Sequence, residues 1–598
     1  MMMNMINKAR LFAILLVVGL ASVIASCSKE ESIGPPPTLT LSATTGSGLV
    51  GAQVATNVSI NAPEGAKMLT ILKNGAPSQT VSFNNEKTAT YEFKYTIEQL
   101  PAGTVVNFTF QVSDSRNQTS SIATFAVTVS SVPPKEVVEV QGNITGNVTW
   151  TKDKIYLLKG FVRVGNDPTR DGQPTATGVL TIQPGTLIIG DRETKGTLII
   201  QRGSRIIADG TATEPIIMTS ERAPGQKEPG DWGGLVICGR ARNNNPGGVG
   251  ELEGQYGGFH GGTDDDDNSG ILRFVRIEFA GIPINPNQEV NSLTLGSVGR
   301  GTVIERVMCS YGLDDAFEWF GGTVNSKYLI AYRGLDDDFD IDNGFSGTVQ
   351  FGLSIRGATL ADQSGSNGFE VDNDGAGSAA TPFTSPQLSN ITVIGPKKDR
   401  ELTISLQFQN AAHLRRNCRI KIYNSFFTAY PNGIFIDGAA TIAAAVANDL
   451  VLRGNVLAGV EHWGGNGFGS AGTVFTGAPS NGANHPVAPR GLRVFAGSAT
   501  FSNGVFNVTA ANIGTQTAEQ WFSANNTILA TWQDAGIDGS IFDLGTPKLT
   551  PNAGSTLLTG ANFTGLTGFE TVAYRGAFGT TDWTTGWANW DAPNTRYR

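Results

Sequence analysis

The sequence predicts an all-β chain, an immunoglobulin-like or fibronectin-III-like sandwich followed by a large parallel β-helix. Three observations carry that expectation. Glycine is abundant (75 of 598 residues), only 16% of residues are charged, and stretches rich in Ala, Leu, Glu and Lys are nearly absent. That is the profile of a turn-rich β protein, not of a disordered or coiled-coil one. Residues 38–132 hold short segments of alternating apolar and polar residues, each closed by a turn. Beyond them, short apolar strands return every 18–30 residues or so with glycines at the corners, the spacing of a stacked solenoid. At this length more than one ordinary core is required.

The chain opens with a segment that does not belong to the fold. Lys8 and Arg10 precede an apolar run, Leu11 to Ala25, too short to span a bilayer comfortably. It ends in Ile24-Ala25-Ser26-Cys27, which resembles the bacterial lipobox. The resemblance implies cleavage after residue 26 and lipid attachment at Cys27. The alternative is an ordinary secretory signal with an incidental cysteine. Ser28-Lys29-Glu30-Glu31 is similar to the acidic tag that sends Bacteroidota lipoproteins to the outer cell surface, and residues 27–37 form a tether ending in three prolines.

Residues 38–132 read as seven strands, with alternation clearest in Tyr91-Phe93-Tyr95-Ile97 and Val106-Phe108-Phe110-Val112. Asn74-Gly75 and Pro101-Ala102-Gly103 supply turns. No Cys…Trp…Cys core marks an antibody-type domain, and no cluster suggests chemistry. A spacer or docking role is expected.

Val132-Pro133-Pro134 marks a boundary, and residues 133–598 read as one domain. Leu180 to Gly190 (LTIQPGTLIIG) returns eighteen residues later as Leu198-Ile199-Ile200-Gln201-Arg202-Gly203. Further rungs follow at Phe274 to Phe279, Val303 to Val307, Ile420 to Tyr423 and Asn432 to Gly438. A β-propeller would need blades of about 40–50 residues. Ala439 to Leu452 and residues 515–536 read as helical, the second as a lid or cap. Trp583, Trp587 and Trp590 are expected to seal the open end of the solenoid.

The LTIQPGTLIIG run, Pro215 to Ser220 (PIIMTS) with Gly230 to Gly234 (GDWGG), the acidic rungs described next, and Tyr574 to Asp591 together resemble a family of Bacteroidota secreted β-helix lipoproteins. Members often carry an Ig-like stalk. The resemblance implies a solenoid fold and a location at the outer membrane or cell surface, and it brings no established reaction.

The densest chemistry lies between Tyr311 and Gly375. Asp314-Asp315-Ala316-Phe317-Glu318-Trp319 returns 22 residues later as Asp336-Asp337-Asp338-Phe339-Asp340-Ile341, and a third copy runs Phe369-Glu370-Val371-Asp372-Asn373. Alternation points Phe317, Phe339 and Phe369 inward, with Trp319, and points Glu318, Asp340, Glu370, Asp342 and Asp372 outward. On stacked parallel strands, equivalent carboxylates would lie roughly 4.7–4.9 Å apart. Each such pair repels by about 3.5 kcal/mol at an effective dielectric near 20. Calcium, which takes six to eight hard oxygens, is the expected compensation. Its candidate ligands are Asp314, Asp315, Glu318, Asp336, Asp337, Asp338, Asp340, Asp342, Glu370, Asp372 and Asp374. Neither an EF-hand nor the nonapeptide calcium repeat is present, so a solvated acidic face stays open as the alternative.

Around this stretch, Tyr311, Tyr332 and Phe345 are candidate sugar-stacking rings. Arg356, His413, Arg415 and Arg416 are candidate bases for a calcium-dependent polysaccharide lyase or a hydrolase, without any pectate-lyase signature. Transition metals are poorly supported, because the four histidines (His260, His413, His462, His485) have no paired spacing. Cys238, Cys309 and Cys418 have no framework spacing and suit buried thiols, with one disulfide as the alternative. The net charge of −9 argues against nucleic-acid binding. The expectation is a surface protein, lipid-anchored through Cys27, that binds an extracellular glycan through calcium. The alternatives are an enzyme on the same face or an accessory partner of an outer-membrane transporter protein.

Overall fold

The computed structural model describes residues 33–598 apart from 132–134, 171–172, 287, 400–401, 406, 461–491 and 503–504. Cys27, the leader and acidic tag, the Val132-Pro133-Pro134 boundary, His462 and His485 lie outside the described residues. The chain divides into two compact units, Met1–Pro134 and Lys135–Arg598.

The first unit packs a three-stranded sheet (Thr38–Leu41, Gln53–Asn61, Thr88–Thr96) on a five-stranded one. Alternate residues from both, Val58, Ile60 and Phe93 against Leu69, Ile71, Phe108 and Phe110, share one core. The extra strand Thr45–Gly48 has the sequence TGSG, with no apolar alternation to announce it.

The second unit is a parallel β-helix whose coils each give a strand to three ladders. The first ladder stacks Gly178–Ile182 and Arg205–Asp209 on the leading half of Gly270–Glu278. The second runs through Leu187–Gly190, Ile216–Ser220, the trailing half of Gly270–Glu278, Val303–Ser310, Asn325–Tyr332 and Thr348–Ile355. The third runs through Thr197–Ile200, Leu235–Cys238, Leu293–Val298, Phe317–Gly322, Phe339–Asp342, Phe369–Val371, Asn410–Leu414 and Asn432–Asp437. Inside, like stacks on like. Phe317, Phe339 and Phe369 follow one another at ring separations of 5.7 and 4.9 Å, and Trp319 is fully buried beside them.

The corner between the first and second ladders is turned by one left-handed residue per coil. Phe274, Arg306, Tyr328 and Phe351 have φ of 51°, 55°, 58° and 61°. Non-glycine residues pay roughly 1–2 kcal/mol each for that conformation, and side-chain stacking along the column offsets it. Tyr328 lies on Phe351 at 4.9 Å, and the Arg306 guanidinium sits 4.3 Å from the Tyr328 ring centre.

The C-terminal segment departs from expectation. Trp583, Trp587 and Trp590 do not seal an end. They lie along the outer face of the second ladder, with Trp583 against Tyr328 (5.2 Å) and Trp590 against Tyr332 (5.0 Å). Strands of that ladder are apolar on both faces, Val307, Cys309, Leu329 and Ala331 inward and Met308, Ile330 and Tyr332 outward. Their outer face needs a cover, and the tail supplies it. It runs from late coils to early ones, from Ala577 on Thr392 to Asn589 on Glu278.

The helix expected over 515–536 shrinks to Ala518–Ser523, followed by a strand, Thr527–Leu529, on Val456–Ala458. Asn526 stops the helix by donating to the carbonyls of Phe522 and Leu452. A helix does form over Ala439–Val446. Cys238, Cys309 and Cys418 are free and buried.

Trp587 is 1% exposed within the tail cluster, and its indole N–H donates to the Trp583 carbonyl. Trp587→Ala is expected to cost about 3–5 kcal/mol. It should lower the urea midpoint of the β-helix transition and release the tail to protease.

Candidate functional site

The acidic copies stack on the third ladder as their alternation demands. Glu318 lies beside Asp340, and Asp340 beside Glu370. The next residue in that column is His413, followed by Phe435. Two residues along, Phe320 lies beside Asp342. Asp314-Asp315 and Asp336-Asp337-Asp338 occupy successive turns between the second and third ladders, so turn and strand carboxylates converge.

Two of the turn acids each give an oxygen to a backbone N–H of the coil above. Asp315 accepts the Asp337 N–H (2.8 Å), and Asp337 accepts the Asn367 N–H. Two groups place one carboxylate oxygen per residue within 4.8 Å of the others, Asp314/Asp315/Asp336 and Asp315/Glu318/Asp340. Oxygens on opposite sides of a calcium ion lie about 4.6–5.2 Å apart, so this spacing fits the ion and Asp315 serves both groups. A bound calcium would supply the positive charge that the turns lack.

Loops crowd further acid onto the same place. The charges of Glu253 and Glu289 bear on Asp314, and Asp362 bears on Asp314 and Asp336. Burial first, then neighbouring carboxylates of the turns, strands and loops, hold Asp314, Asp315, Glu318, Asp336, Asp337 and Asp340 well above the ordinary carboxylate range. Asn291 offsets this at one point, donating its amide to Glu318. Asp342 and Glu370 are pushed up to about 7, chiefly by burial, with Asp372 adding to both.

Apart from Arg356, which is paired with Asp338, positive charge among the described residues enters from the Glu370 side. Arg415 bridges Glu370 and Asp372 (Nε–Oδ1 2.8 Å), and Arg416 reaches Asp372 Oδ2 at 2.7 Å. His413 Nε2 lies 3.0 Å from Asp437 Oδ2, while its Nδ1, without a hydrogen bond, lies 4.0 Å from Glu370 Oε2.

Several candidates are displaced by this geometry. Asp338 is not free for a cation: fully buried, it takes hydrogen bonds from Arg356 (2.8 Å), Ser354 and Tyr430. Arg356 is equally buried in that pair and cannot reach a substrate. Asp374 caps its own loop, accepting from the backbone N–H of Ala376 and Ser378. Arg415 is pulled down by burial but raised more by Glu370 and Asp372, so its proton is held too firmly for a base. The aromatic candidates fail as sugar platforms. Tyr332 and Phe345 are fully buried, one under Trp590 and the other on Trp319, and Tyr311 is stacked on Phe279 at 5.3 Å. The Asp264 to Asp267 run is a loop partly neutralised by Arg242 on Asp265 and Arg300 on Asp266. Glu253, Glu289, Asn291 and Asp362 were not legible as site residues, because they sit in loops outside any repeat.

Residues 142–465, more than half of the chain, match the family described as a pectate-lyase-like β-helix domain. The chain belongs to that family. No curated protein matches it. The crystal structure of pectate lyase Pel3 from Pectobacterium carotovorum aligns at 12% identity over 59% of this chain and 86% of that one, with a TM-score of 0.11. That overlap is too slight to carry an argument. Membership accounts for the coil architecture and suggests a polysaccharide-related role, but it assigns no part to any acid in the turns.

The raised carboxyls fix the sign of a pH effect. An unfolded Asp or Glu releases its proton near pH 4, whereas Asp342 and Glu370 keep theirs to about 7. Between those values the folded chain binds more protons, so stability falls as pH rises. In EDTA the melting temperature should decline from pH 4.5 to 7.5, and Asp342→Asn should flatten the slope. A flat profile in the parent protein would contradict the burial of these acids.

Proposed function

We propose that this protein is a cell-surface glycan-binding or adhesive protein, anchored at the outer membrane through a lipid on Cys27, whose β-helix holds calcium at the stacked acidic turns. Asp314, Asp315, Glu318, Asp336 and Asp340 would hold the ion, with Asp337 and the loop acids Glu253, Glu289 and Asp362 adding negative potential around it. The observation that carries the reading is the pair of carboxylate triads sharing Asp315, with no Lys or Arg in an ion pair to any of their five acids among the described residues. Stacking forces these charges together, and a divalent cation removes the repulsion while leaving coordination positions for sugar hydroxyls or carboxylates. The pectate-lyase-like family supports a polysaccharide as the partner class.

A calcium titration of the full-length protein tests the ion. The melting temperature in EDTA should rise with calcium, by the equivalent of about 2.7 kcal/mol at a hundredfold excess over the dissociation constant. Asp315→Asn keeps an acceptor for the Asp337 N–H but removes the charge common to both triads, and it should abolish most of that rise. An unchanged calcium response in this variant would reject the site. Retention on immobilised acidic polysaccharides should then require calcium and fail in Asp315→Asn.

A lyase or hydrolase on the same face is the second reading. It is favoured by His413, held between Glu370 and Asp437 with Nδ1 unengaged. Unsaturated or reducing ends released from the retained glycan, and lost in His413→Asn, would decide for it over binding.

A further inference from the structure

A second feature lies on another ladder and carries the opposite charge. Where the tail reaches the early coils, a cavity of about 340 Å³ opens between it and the strands Leu187–Gly190 and Ile216–Ser220. This is near the lower end of the range for small-molecule sites. Its apolar surface comes from Leu187 and Ile189, 4% and 2% exposed, and from the Tyr597 ring. That ring is fixed in place: its hydroxyl donates to Glu278 (2.6 Å), and Lys227 and Arg276 lie 4.6 and 5.6 Å from its centre.

The polar wall is cationic. Arg222, Lys227, Arg596 and Arg598 line the cavity, and among the described residues no Asp or Glu does. Arg222 is neutralised by Glu228 and Asp231. Lys227 and Arg598 bond to backbone carbonyls, Lys227 to Ala592 (3.1 Å) and Thr595 (2.9 Å) and Arg598 to Glu221, while Arg596 donates to the main-chain carboxylate of Arg598 (2.7 Å). Burial, with the charges of Arg276 and Arg598, pushes the Lys227 ammonium down although Glu278 opposes the shift. Three cations thus share one carboxylate, the main-chain group of Arg598, at the border of an apolar floor. A neutral ligand would leave the charge surplus standing, and a free inorganic anion would leave the floor uncovered.

We propose that this cavity binds a small organic anion with an apolar face. Its carboxylate, sulfate or phosphate would meet Lys227, Arg596 and Arg598, and its apolar side would lie on Leu187, Ile189 and Tyr597. The site is independent of the calcium reading and stands or falls without it.

Calorimetry on the full-length protein with 4-nitrophenyl sulfate tests the proposal, with neutral 4-nitrophenyl glucoside as the control. The sulfate ester should bind saturably at one site, at least about tenfold more tightly than the glucoside. Added salt should weaken it as screening shortens the reach of the cations, and inorganic sulfate should compete. Arg596→Gln with Arg598→Gln changes exposed side chains and leaves Lys227 holding the tail. It should weaken binding about tenfold with the melting temperature unchanged. Absence of saturable binding, equal affinity for the neutral glucoside, or full affinity in the double variant would each overturn the proposal. If the double variant unfolds early, salt dependence and sulfate competition in the parent protein decide, and insensitivity to both overturns it.

Discussion

In-register stacking is the constraint on which the rest of this structure depends. A parallel β-helix repeats a strand position at roughly 4.7–4.9 Å, so whatever faces outward at one coil meets its like at the next. Apolar columns need a cover, and charged columns need counter-charge. The second ladder shows the first case. Met308, Ile330 and Tyr332 form an outward apolar column, and the tail with Trp583, Trp587 and Trp590 lies over it. Early in the third ladder, Ile199, Val236 and Phe320 are covered by Leu252, Tyr256 and Val290 from inserted loops. From Glu318, on the same strand as Phe320, the outward column turns acidic, and the rule for charged columns applies.

Much of this was legible in the sequence, and the limits follow from the same constraint. Inward residues repeat because each stacks on its equivalent, so the Phe317, Phe339 and Phe369 register could be read directly from alternation. The pairing of Glu318 with Asp340 and of Asp340 with Glu370 followed from it. Alternation says which face a side chain takes, but not what lies over that face. Tyr332 points outward, as an exposed ring would, yet it is buried because residues more than two hundred positions later cover it. Phe345 lies in the loop after an acidic rung and turns in to pack on Trp319. Glu253, Glu289 and Asp362 reach the site from loops whose course depends on packing over the ladder, and no repeat or motif flags them. The helical reading of residues 515–536 failed for a related reason. Its local periodicity was real for one short turn, but the strand Thr527–Leu529 had a ladder edge to join.

Counter-charge separates acids that serve the fold from those left over. Asp338 is fully satisfied by Arg356, Ser354 and Tyr430, and breaking such a buried pair would leave an isolated charge at a cost of several kcal/mol. Asp372 is held by two arginines, and Asp374 by its own loop. Asp314, Asp315, Glu318, Asp336 and Asp340 have hydrogen-bond donors at some oxygens but no cationic side chain in an ion pair among the described residues. A fold that needed only neutralised stacking could have continued the pattern of Arg415 into these coils. Instead the arginines stop at one side, where Arg415 closes the acidic column at Glu370 and Asp372. The uncompensated charge is therefore concentrated at the turns between the second and third ladders. There, Asp315, Asp336 and Asp337 already accept hydrogen bonds from the neighbouring coil. A cation placed among these carboxylates would relieve repulsion between coils and tie them together. Ion binding and β-helix stability would then be one equilibrium, so the acids that weaken the fold most without calcium are those that should hold the ion most tightly.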